Sequence, residues 1–375
     1  MPDELPTIWR AEPHTLAKHA ILKKYLEAWM PILSHQTAKH PARLSRIWYV
    51  DGFAGPGEYV NGEPGSPVIA LQTALDHSHI FPTPVRFLFV EARKDRLDHL
   101  RAILARYDEA IRSSKRVEDY ETKLGDCADT LNRYLDQRDE AGKAFGPALV
   151  FLDQSGYSAV PIDLIGRVMR YPVCEVFSYL DWKDLNRFIT DESKWAGLTR
   201  TFGGDEWRDA IGMGAADRRA FLLKAYRSSL QQRAGVEFFC YFSMHDENGQ
   251  LLYWLFFCTG HLAGLEQMKK AMWSVDETGS FRFSDSEAPG QLLLLDGFDQ
   301  SWLANTLSDR HRGKALTIQD VERFVLVHTP CYKYIDALRI LEKEARADLL
   351  GAPPDRRKGA FKKYKGNTRV KVLFK

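Results

Sequence analysis

Cysteine is scarce in this 375-residue sequence, and the five cysteines that are present stand far apart. They are Cys127, Cys174, Cys240, Cys258 and Cys331. No two of them form a Cys-x-x-Cys pair, so the pattern predicts neither a zinc knuckle nor a disulfide framework. Scattered cysteines of this kind are typical of proteins that work in a reducing cytoplasm.

Long apolar runs and the short motifs of several enzyme classes are also lacking. No stretch approaches the ~20 apolar residues that a membrane helix needs, and the first five residues lack a signal-peptide pattern. His14, His19 and His261 follow no metal-ligand spacing, and Ser66 does not stand in the Gly-x-Ser-x-Gly turn of serine hydrolases. No cluster of carboxylates suggests the metal site of a nuclease. We therefore expect a cytoplasmic protein without a membrane segment or a metal centre.

Overall composition is that of an ordinary globular protein, but charge is unevenly distributed. The sequence is 45% apolar and 27% charged, and its length suffices for two or three domains. Its formal net charge is only +2. Residues 346–375 nevertheless contain ten Lys and Arg against two Asp, which leaves the rest of the chain acidic. This asymmetry predicts a polyanionic partner for the C-terminal part.

A glycine-rich turn directly follows the first strand-like run, Ile47–Val50. Residues 51–57 read Asp-Gly-Phe-Ala-Gly-Pro-Gly, and a second turn precedes a helix that Ser66 can cap, with Pro67 at its first position. Glycines after a strand let the backbone approach a nucleotide-type ligand. The residues expected to bind such a cofactor here are Asp51, Phe53, Gly55 and Gly57. The structural alternative is a tight turn that ends a strand.

Acidic residues also stand at the ends of two later strand-like units. Val85–Val90 ends at Glu91, which can accept the ribose hydroxyls of an adenosyl group. The third unit ends at Gly125-Asp126, where the carboxylate can accept the adenine amino group. The alternatives are a helix N-terminal acid for Glu91 and a helix cap for Asp126. Because the acidic residues follow successive strands in this order, we expect them to form one adenosyl site.

The fourth strand, 148–152, ends at Asp153, which we predict to lie at the reaction edge of the site. There its carboxylate can polarise a target amine or accept a proton. Tyr157, four residues later, can stack on a flat substrate such as a nucleobase. The alternative is a plain turn after a strand. We name Asp153 and Tyr157 as the candidate catalytic residues.

The remaining strand-like runs identify the type of sheet. A fifth run, Cys174–Tyr179, is followed by a charged helical insertion over about 181–235. Phe238–Met244 and Leu251–Thr259 then flank an Asn-Gly turn, which is a hairpin signal. Continuous apolar strands indicate a parallel sheet covered on both faces, and the hairpin adds an antiparallel strand. The fold class is therefore α/β, a Rossmann-like class I methyltransferase sheet, and the expected cofactor is S-adenosylmethionine.

The C-terminal part has a different pattern. Thr317 can cap a helix that ends near His328, and Thr329-Pro330 opens a second helix to about Glu344. A strand near Leu349, a basic stretch and a last strand over 369–374 complete a winged helix-turn-helix outline. The residues expected to contact nucleic acid are Lys333, Arg339, Arg356, Arg357 and Lys358. The alternatives are a solvated surface and a protein-docking module.

These patterns give a domain organisation. The methyltransferase-like domain covers residues 1–285 and begins with an amphipathic helix over 15–33. A linker over 286–315 leads to the winged helix over 316–375.

Several motifs together resemble the three-Cys-motif partner (TcmP) protein family. They cover roughly residues 10–285 and, in order, are Thr15, Lys18-His19-Ala20-Ile21-Leu22, Tyr25-Leu26, Trp29, Asp51 to Tyr59, Gly65-Ser66-Pro67, Phe151-Leu152-Asp153, Asn186-Arg187-Phe188, Tyr253, Thr259, Gly264, Met268-Lys269, Met272, Gly279, Phe281 and Phe283-Ser284. The resemblance implies a methyltransferase-like fold with a winged helix. It also implies a partner protein with three clustered cysteines that looks like a radical-adenosylmethionine enzyme.

One departure from that family leaves two functions open. Relatives usually carry Asp-Pro after the fourth strand, whereas this chain has Asp153-Gln154. Aminomethyltransferases of DNA bases use prolines there to hold the amino group of a flipped base. The first hypothesis is a methyltransferase that acts on nucleic acid presented by the winged helix. The second is a non-catalytic adaptor that delivers nucleic acid to the cysteine-bearing partner.

Overall fold

The computed structural model describes residues 6–40, 46–142, 145–154, 156, 159–276, 282–284 and 300–375. Tyr157, named above as a candidate catalytic residue, lies outside these residues. The chain divides into two compact units. The first comprises residues 1–271 with 283–287, and the second comprises 272–282 with 288–375.

The first unit is built on one large mixed sheet. In chain order its strands are β1 (Ile47–Asp51), β2 (Val85–Glu91), β3 (Val117–Leu124), β4 (Ala148–Leu152), β5 (Cys174–Asp181), β6 (Phe238–His245), β7 (Leu251–Thr259) and β8 (Arg282–Ser284). Across the sheet they stand in the order β3-β2-β1-β4-β5-β7-β6-β8. The first five strands are mutually parallel, whereas β7 runs antiparallel to both β5 and β6. The predicted class I methyltransferase sheet with its terminal hairpin is confirmed.

Helices connect the strands. The α-helices along the chain are α1 (Pro13–Thr37), α2 (Ser66–Leu75), α3 (Lys94–Leu104), α4 (Asp108–Ser113), α5 (Cys127–Glu140), α6 (Ile162–Met169), α7 (Trp182–Phe188), α8 (Trp195–Phe202), α9 (Ala215–Gln232), α10 (Leu262–Trp273), α11 (Gln300–His311), α12 (Ile318–His328) and α13 (Tyr334–Lys343). Short 3-10 helices lie at Ala105–Tyr107, Glu192–Lys194, Glu206–Ala210 and Phe361–Tyr364. Among the described helices, none is both long and apolar enough to span a bilayer.

Strands β1, β2, β4, β5 and β7 are largely apolar because both faces of the sheet are covered there, whereas the edge strand β3 carries charged residues and is mostly exposed or half-buried. On one face Val50, Val150 and Val176 pack with residues of α5, α6 and α9 in a single cluster of buried side chains. On the other face the aromatic rings dominate, and Phe151 lies 5.5 Å from Phe177, centroid to centroid. Fixed in this way, the sheet delivers the ends of β1, β2, β4 and β5 to one edge.

In the first unit the observed helices match the predicted ones closely, with one local correction. Helix α1 begins two residues earlier than expected and ends four residues later. Gly65, and not Ser66, is the N-cap of α2, so the predicted cap is wrong. Ser66 is the first helical residue, and its side chain bonds the carboxylate of Asp51 instead.

The second unit contains helices and a small sheet. Its strands are β9 (Ala315–Thr317), β10 (Ala347–Leu350) and β11 (Lys371–Phe374), in the antiparallel order β10-β11-β9. Helix α11 occupies part of the predicted linker and packs against α13. The Thr317 hydroxyl caps α12 as predicted, accepting from the Asp320 N–H at 3.1 Å.

The second helix of this unit begins at Tyr334, five residues later than the predicted start at Thr329. Thr329 has an extended backbone, and its hydroxyl accepts the N–H of Cys331 at 3.1 Å. A side chain that bonds the backbone two residues on favours a turn, so α13 starts only after it.

Candidate cofactor and substrate site

A cavity of about 710 Å³ opens at the carboxyl edge of the large sheet. It is lined by the glycine loop after β1, by residues just after β2, β4 and β5, and by the first turns of α1. Every described residue predicted for cofactor binding or catalysis lines this cavity except Asp51, which lies beneath the loop. The strand order therefore brings together residues that are up to 100 positions apart.

Backbone hydrogen bonds hold the glycine loop against two neighbouring strands, β4 and β2. The N–H of Gly52 donates to the carbonyl of Phe151 at 2.9 Å, and that of Ala54 to Val90 at 2.9 Å. Gly55 and Gly57 have φ values of +63° and +89°, which other residues adopt only at a cost. A Cβ added to Gly55 would lie 3.8 Å from the Trp9 ring, in the space between the loop and that ring. Gly55 and Gly57 thus leave this space open, and it is called the cradle below.

Asp51 lies beneath this loop and does not line the cavity. Its side chain is fully buried and accepts hydrogen bonds from the Phe53 N–H at 3.1 Å, from Tyr49 and from Ser66. Burial raises the pKa of this carboxyl to about 7. The structure therefore places Asp51 as the residue that shapes the loop, while Phe53, Gly55 and Gly57 line the cavity.

Glu91 ties the loop to the second strand. Its Oε2 accepts the N–H of Gly55 at 2.9 Å, and its Oε1 accepts the N–H of Arg93 at 2.8 Å. The residue is only 7% exposed, yet it lines the cavity. A carboxylate offers about four acceptor positions, so two such bonds leave capacity for ligand hydroxyls.

Asp126 combines the two roles that the sequence left open. Its Oδ1 accepts the N–H of Asp129 at 3.0 Å and caps α5, which is the structural role. The residue also lines the cavity and is exposed there. Its second carboxylate oxygen is available to a ligand amino group.

Asp153 forms an ion pair with a residue that the sequence reading did not select for the site. The Lys18 ammonium lies 2.5 Å from Asp153 Oδ2 and 5.9 Å from the centre of the Tyr253 ring. Lys18 is 7% exposed, and both charged groups line the cavity. A signal was present: Lys18 stands four residues before Leu22 and seven before Tyr25, on the apolar stripe of α1.

Gln154, two residues after β4, is held by hydrogen bonds of its side-chain amide. Its side chain is 4% exposed, donates to the Tyr179 carbonyl at 3.0 Å and accepts the Val160 N–H at 2.9 Å. One amide therefore joins the end of β4 both to β5 and to Val160. This is a geometric role that prolines would fill differently.

Replacing Gln154 by alanine should lower the free energy of unfolding by about 2 kcal/mol. The change would leave one buried carbonyl and one buried N–H without their partner, and each such loss costs ~1–3 kcal/mol before relaxation. Urea unfolding followed by circular dichroism measures the effect. As a control, Gln250→Ala removes an exposed side-chain amide in the hairpin turn. An equally large loss of unfolding free energy in that variant would contradict the role assigned to Gln154.

Two tyrosines form the wall of the cavity beyond Asp153. The rings of Tyr179 and Tyr253 pack edge to face at 4.8 Å, and the Tyr179 hydroxyl donates to Asp181 at 2.9 Å. Burial, together with the neighbouring Asp181, raises the pKa of Tyr179. This end of the cavity can accept a flat group beside Asp153.

The N-terminal segment closes another side. Trp9 packs edge to face on Tyr59, and the Arg96 guanidinium lies 4.5 Å from the Trp9 ring centre. Arg96 lines the cavity, and among the described residues its buried Nε has no hydrogen-bond partner. A buried, unsatisfied N–H at a cavity wall is a donor that a bound ligand can use. No sequence pattern distinguished Trp9 or Arg96.

The five predicted nucleic-acid contacts lie in the second unit and differ in their surroundings. Arg356 is bound to Glu342, and both side chains are largely buried, so Arg356 is not an exposed contact. Lys333 lies over the rings of Trp273 and Tyr332. Arg339 bonds Asp336, whereas Arg357 and Lys358 are exposed.

Metal binding is not suggested by the described part of the chain. There, no group of three or more His, Cys, Asp and Glu side chains is arranged to hold an ion.

No protein-family model and no curated protein matches the sequence. The structure is similar to Trm1 from Pyrococcus horikoshii, solved in complex with S-adenosyl-L-methionine, at 10% identity and a TM-score of 0.36, covering 69% of this chain. This chain spans 57% of the length of Trm1. It is also similar to geranyl diphosphate methyltransferase, solved with GPP and sinefungin, at 10% identity and a TM-score of 0.27, covering 60% of this chain and 76% of the other. At such scores the fold assignment rests on the strand order given above.

Proposed function

We propose that this protein is an S-adenosylmethionine-dependent methyltransferase that acts on nucleic acid. The observation that carries the proposal is the convergence of the glycine loop, Glu91 and Asp126 on one cavity at the carboxyl edge of a class I sheet. Ligands in open α/β sheets bind at this edge. The cavity has the size of an ordinary small-molecule site.

The residues present fit the cofactor. Glu91 would hold the ribose hydroxyls, Asp126 the adenine amino group, and the cradle formed by Gly55 and Gly57 the amino-acid end. When bound, S-adenosylmethionine supplies an electrophilic methyl group. The unsatisfied Nε of Arg96 offers one further donor to an anionic group of a ligand.

Asp153, Lys18, Tyr179 and Tyr253 would face the substrate. Their main task is to orient the nucleophile, because methyl transfer depends on alignment of the reacting atoms. Asp153 can accept a hydrogen bond or a proton from an amine, and the aromatic wall can hold a flat base by stacking. The ion pair with Lys18 keeps the Asp153 carboxylate in place.

The second unit supports the choice of nucleic acid as the substrate. Its order of helices and strands, α11-β9-α12-α13-β10-β11, supports a winged-helix assignment. Its last thirty residues carry the excess positive charge of the chain. A basic module of this type binds phosphates.

A second candidate function is a non-catalytic adaptor of a three-Cys-motif partner protein. The arrangement of Asp153 favours it: the turn is held by Gln154 without prolines, and the carboxylate is already paired with Lys18. In this case the cavity would bind cofactor without turnover. Co-purification with the partner, and function that persists in Asp153→Ala, would support the adaptor.

Calorimetric titration with S-adenosylmethionine and S-adenosylhomocysteine tests the cofactor site. We expect micromolar affinity, about −8 kcal/mol. Asp126→Asn is the sharpest variant, because asparagine still caps α5 through its side-chain oxygen but presents an amide N–H₂ to adenine. The loss of one hydrogen bond and the repulsion of like donors should weaken binding about tenfold.

Glu91→Gln and Glu109→Gln complete this experiment. The Glu91 variant should abolish measurable binding, since it removes an acceptor that both the loop and the ligand use. Glu109 is exposed on α4, and its variant should bind as the native protein does. No binding of either ligand to the native protein would rule out the methyltransferase, whereas binding without methyl transfer to DNA or RNA pools would favour the adaptor.

A further inference from the structure

We propose that the second unit binds the sugar-phosphate backbone of nucleic acid through a preformed basic loop, without reading the base sequence. The basic loop is defined as residues 351–370, between β10 and β11. This inference rests on the nucleic-acid part of the proposed function and names the side chains and the mode of binding. It departs from the sequence prediction, which placed two of the five contacts, Lys333 and Arg339, on or beside α13.

Two polar side chains of α13, Arg339 and Glu342, are already bound to this loop. Arg339 donates to the Gly359 carbonyl at 3.2 Å and to Asp336 at 2.8 Å. Glu342 accepts the Gly359 N–H at 2.7 Å and pairs with Arg356. Base readout in the major groove needs side chains with free donors and acceptors that reach base edges. On α13, Arg339 and Glu342 instead stabilise the loop.

The loop is anchored at several further points. Phe361 and Tyr364 insert their rings into the core of the second unit. The Lys365 ammonium lies 2.6 Å from Glu322 of α12, and Glu322 also accepts the Tyr334 hydroxyl at 3.0 Å. A loop fixed in this way loses little conformational entropy when it binds, which favours affinity.

Five cations remain outward on this fixed loop. They share an exposed side chain with no hydrogen bond or ion pair within the described residues, and they are Arg357, Lys358, Lys362, Lys363 and Arg369. Arg357 and Lys358 line a cleft of about 580 Å³ beside α13, together with Lys343. Among the described residues that line this cleft, Glu342 is the only one with a carboxylate, and it is paired with Arg356. Unpaired cations on a rigid surface suit the regularly spaced charges of a phosphate backbone.

The test measures binding of full-length protein to two fluorescent 20-base-pair DNA duplexes of unrelated sequence over a series of salt concentrations. For native protein we expect the two dissociation constants to agree within threefold. The variant R357Q/K358Q/K362Q/K363Q should weaken binding at least 100-fold at low salt. It should also reduce the slope of log K against log salt by about 3 to 4, since each phosphate contact contributes ~0.9.

A charge-matched variant separates position from net charge. R112Q/K115Q/R219Q/K224Q removes four exposed cations from the first unit and should bind like native protein. If the loop variant instead behaves like this control, or if native protein prefers one sequence by more than tenfold, the inference is overturned while nucleic-acid binding stands. If native protein binds neither duplex nor the corresponding single strands, the nucleic-acid part of the proposed function fails as well. Retained S-adenosylmethionine binding in the loop variant shows that its first unit is folded.

Discussion

Asp153→Asn should weaken the binding of S-adenosylmethionine roughly ten- to thirtyfold and change the binding of S-adenosylhomocysteine by less than about threefold. The two ligands differ in charge at sulfur, since only the first is a sulfonium. In the native protein the Lys18 ammonium is neutralised by Asp153 at 2.5 Å. Asparagine would leave that ammonium uncompensated in the same cavity, and repulsion between like charges there is on the order of 1–2 kcal/mol.

Lys18→Met should have the opposite effect on the ratio of the two affinities. Removal of the ammonium leaves the Asp153 carboxylate free to attract a sulfonium, so preference for S-adenosylmethionine should rise about tenfold. Methionine retains the length of the apolar stem that α1 buries. Parallel calorimetry of both variants with both ligands measures the two ratios.

The pair of ligands provides an internal control for this experiment. A change in the shape of the cavity would weaken the sulfonium and the neutral thioether alike, whereas a change in charge separates them. Lys18→Arg preserves the ion pair and should leave the ratio close to its native value. Equal losses for both ligands in Asp153→Asn would show that the pair acts through cavity shape and not through charge.

The large sheet could be predicted from the sequence because its strands carry strong local signals. Runs such as Ala148–Leu152 are continuously apolar, and acidic residues end β2 and follow β3 and β4. The Asn248-Gly249 turn fixed the antiparallel hairpin. These signals are local in sequence, and parallel strands necessarily bring their carboxyl ends to one edge. The position of the cavity could therefore be predicted from the order of the strands alone.

The division of roles among the acidic residues could not be predicted in the same way. Asp51 and Glu91 both follow the expected pattern, yet Asp51 is buried under the loop whereas Glu91 reaches the cavity. That difference depends on which carboxylate oxygens accept hydrogen bonds from the backbone N–H groups of residues 52–57 and 93. The tertiary fold, and not the local sequence, decides this. Lys18 meets Asp153 across 135 positions, and Arg356 is withdrawn from the surface by Glu342. Long-range pairs of this kind leave little trace in local sequence.

The buried carboxyl of Glu175, which like Asp51 does not line the cavity, predicts a measurable pH dependence of stability. Glu175 on β5 is 4% exposed and accepts the Tyr25 hydroxyl at 2.5 Å and the Thr259 hydroxyl at 2.7 Å. These two hydroxyls and the Trp29 N–H, which also interacts with the carboxylate, are neutral donors, so they offset the loss of hydration only in part. Burial raises the pKa of Glu175 from 4.5 to about 7.

The sign of the effect follows from the raised pKa. Because the folded state binds this proton more tightly than the unfolded state, the stabilising contribution is complete below pH 4.5. It is lost as pH rises toward 7 and stays lost above that. Between pH 5 and 8 the native protein should therefore lose about 2–3 kcal/mol of unfolding free energy from this group.

Glu175→Gln should remove that loss while preserving the local contacts. The amide oxygen can still accept from Thr259, and the amide N–H₂ can donate to the Tyr25 oxygen. Asp51, whose pKa is also raised to about 7, titrates in the same direction in both proteins and cancels in the comparison.

Urea unfolding at pH 5 and at pH 8 gives the free energies, with Glu109→Gln as a variant of equal charge change at the surface. From pH 5 to pH 8, the unfolding free energy of the Glu175 variant relative to that of native protein should rise by about 2–3 kcal/mol. A difference that stays constant with pH would mean that Glu175 is ionised at pH 5 already, and that its two hydroxyl partners together outweigh its burial.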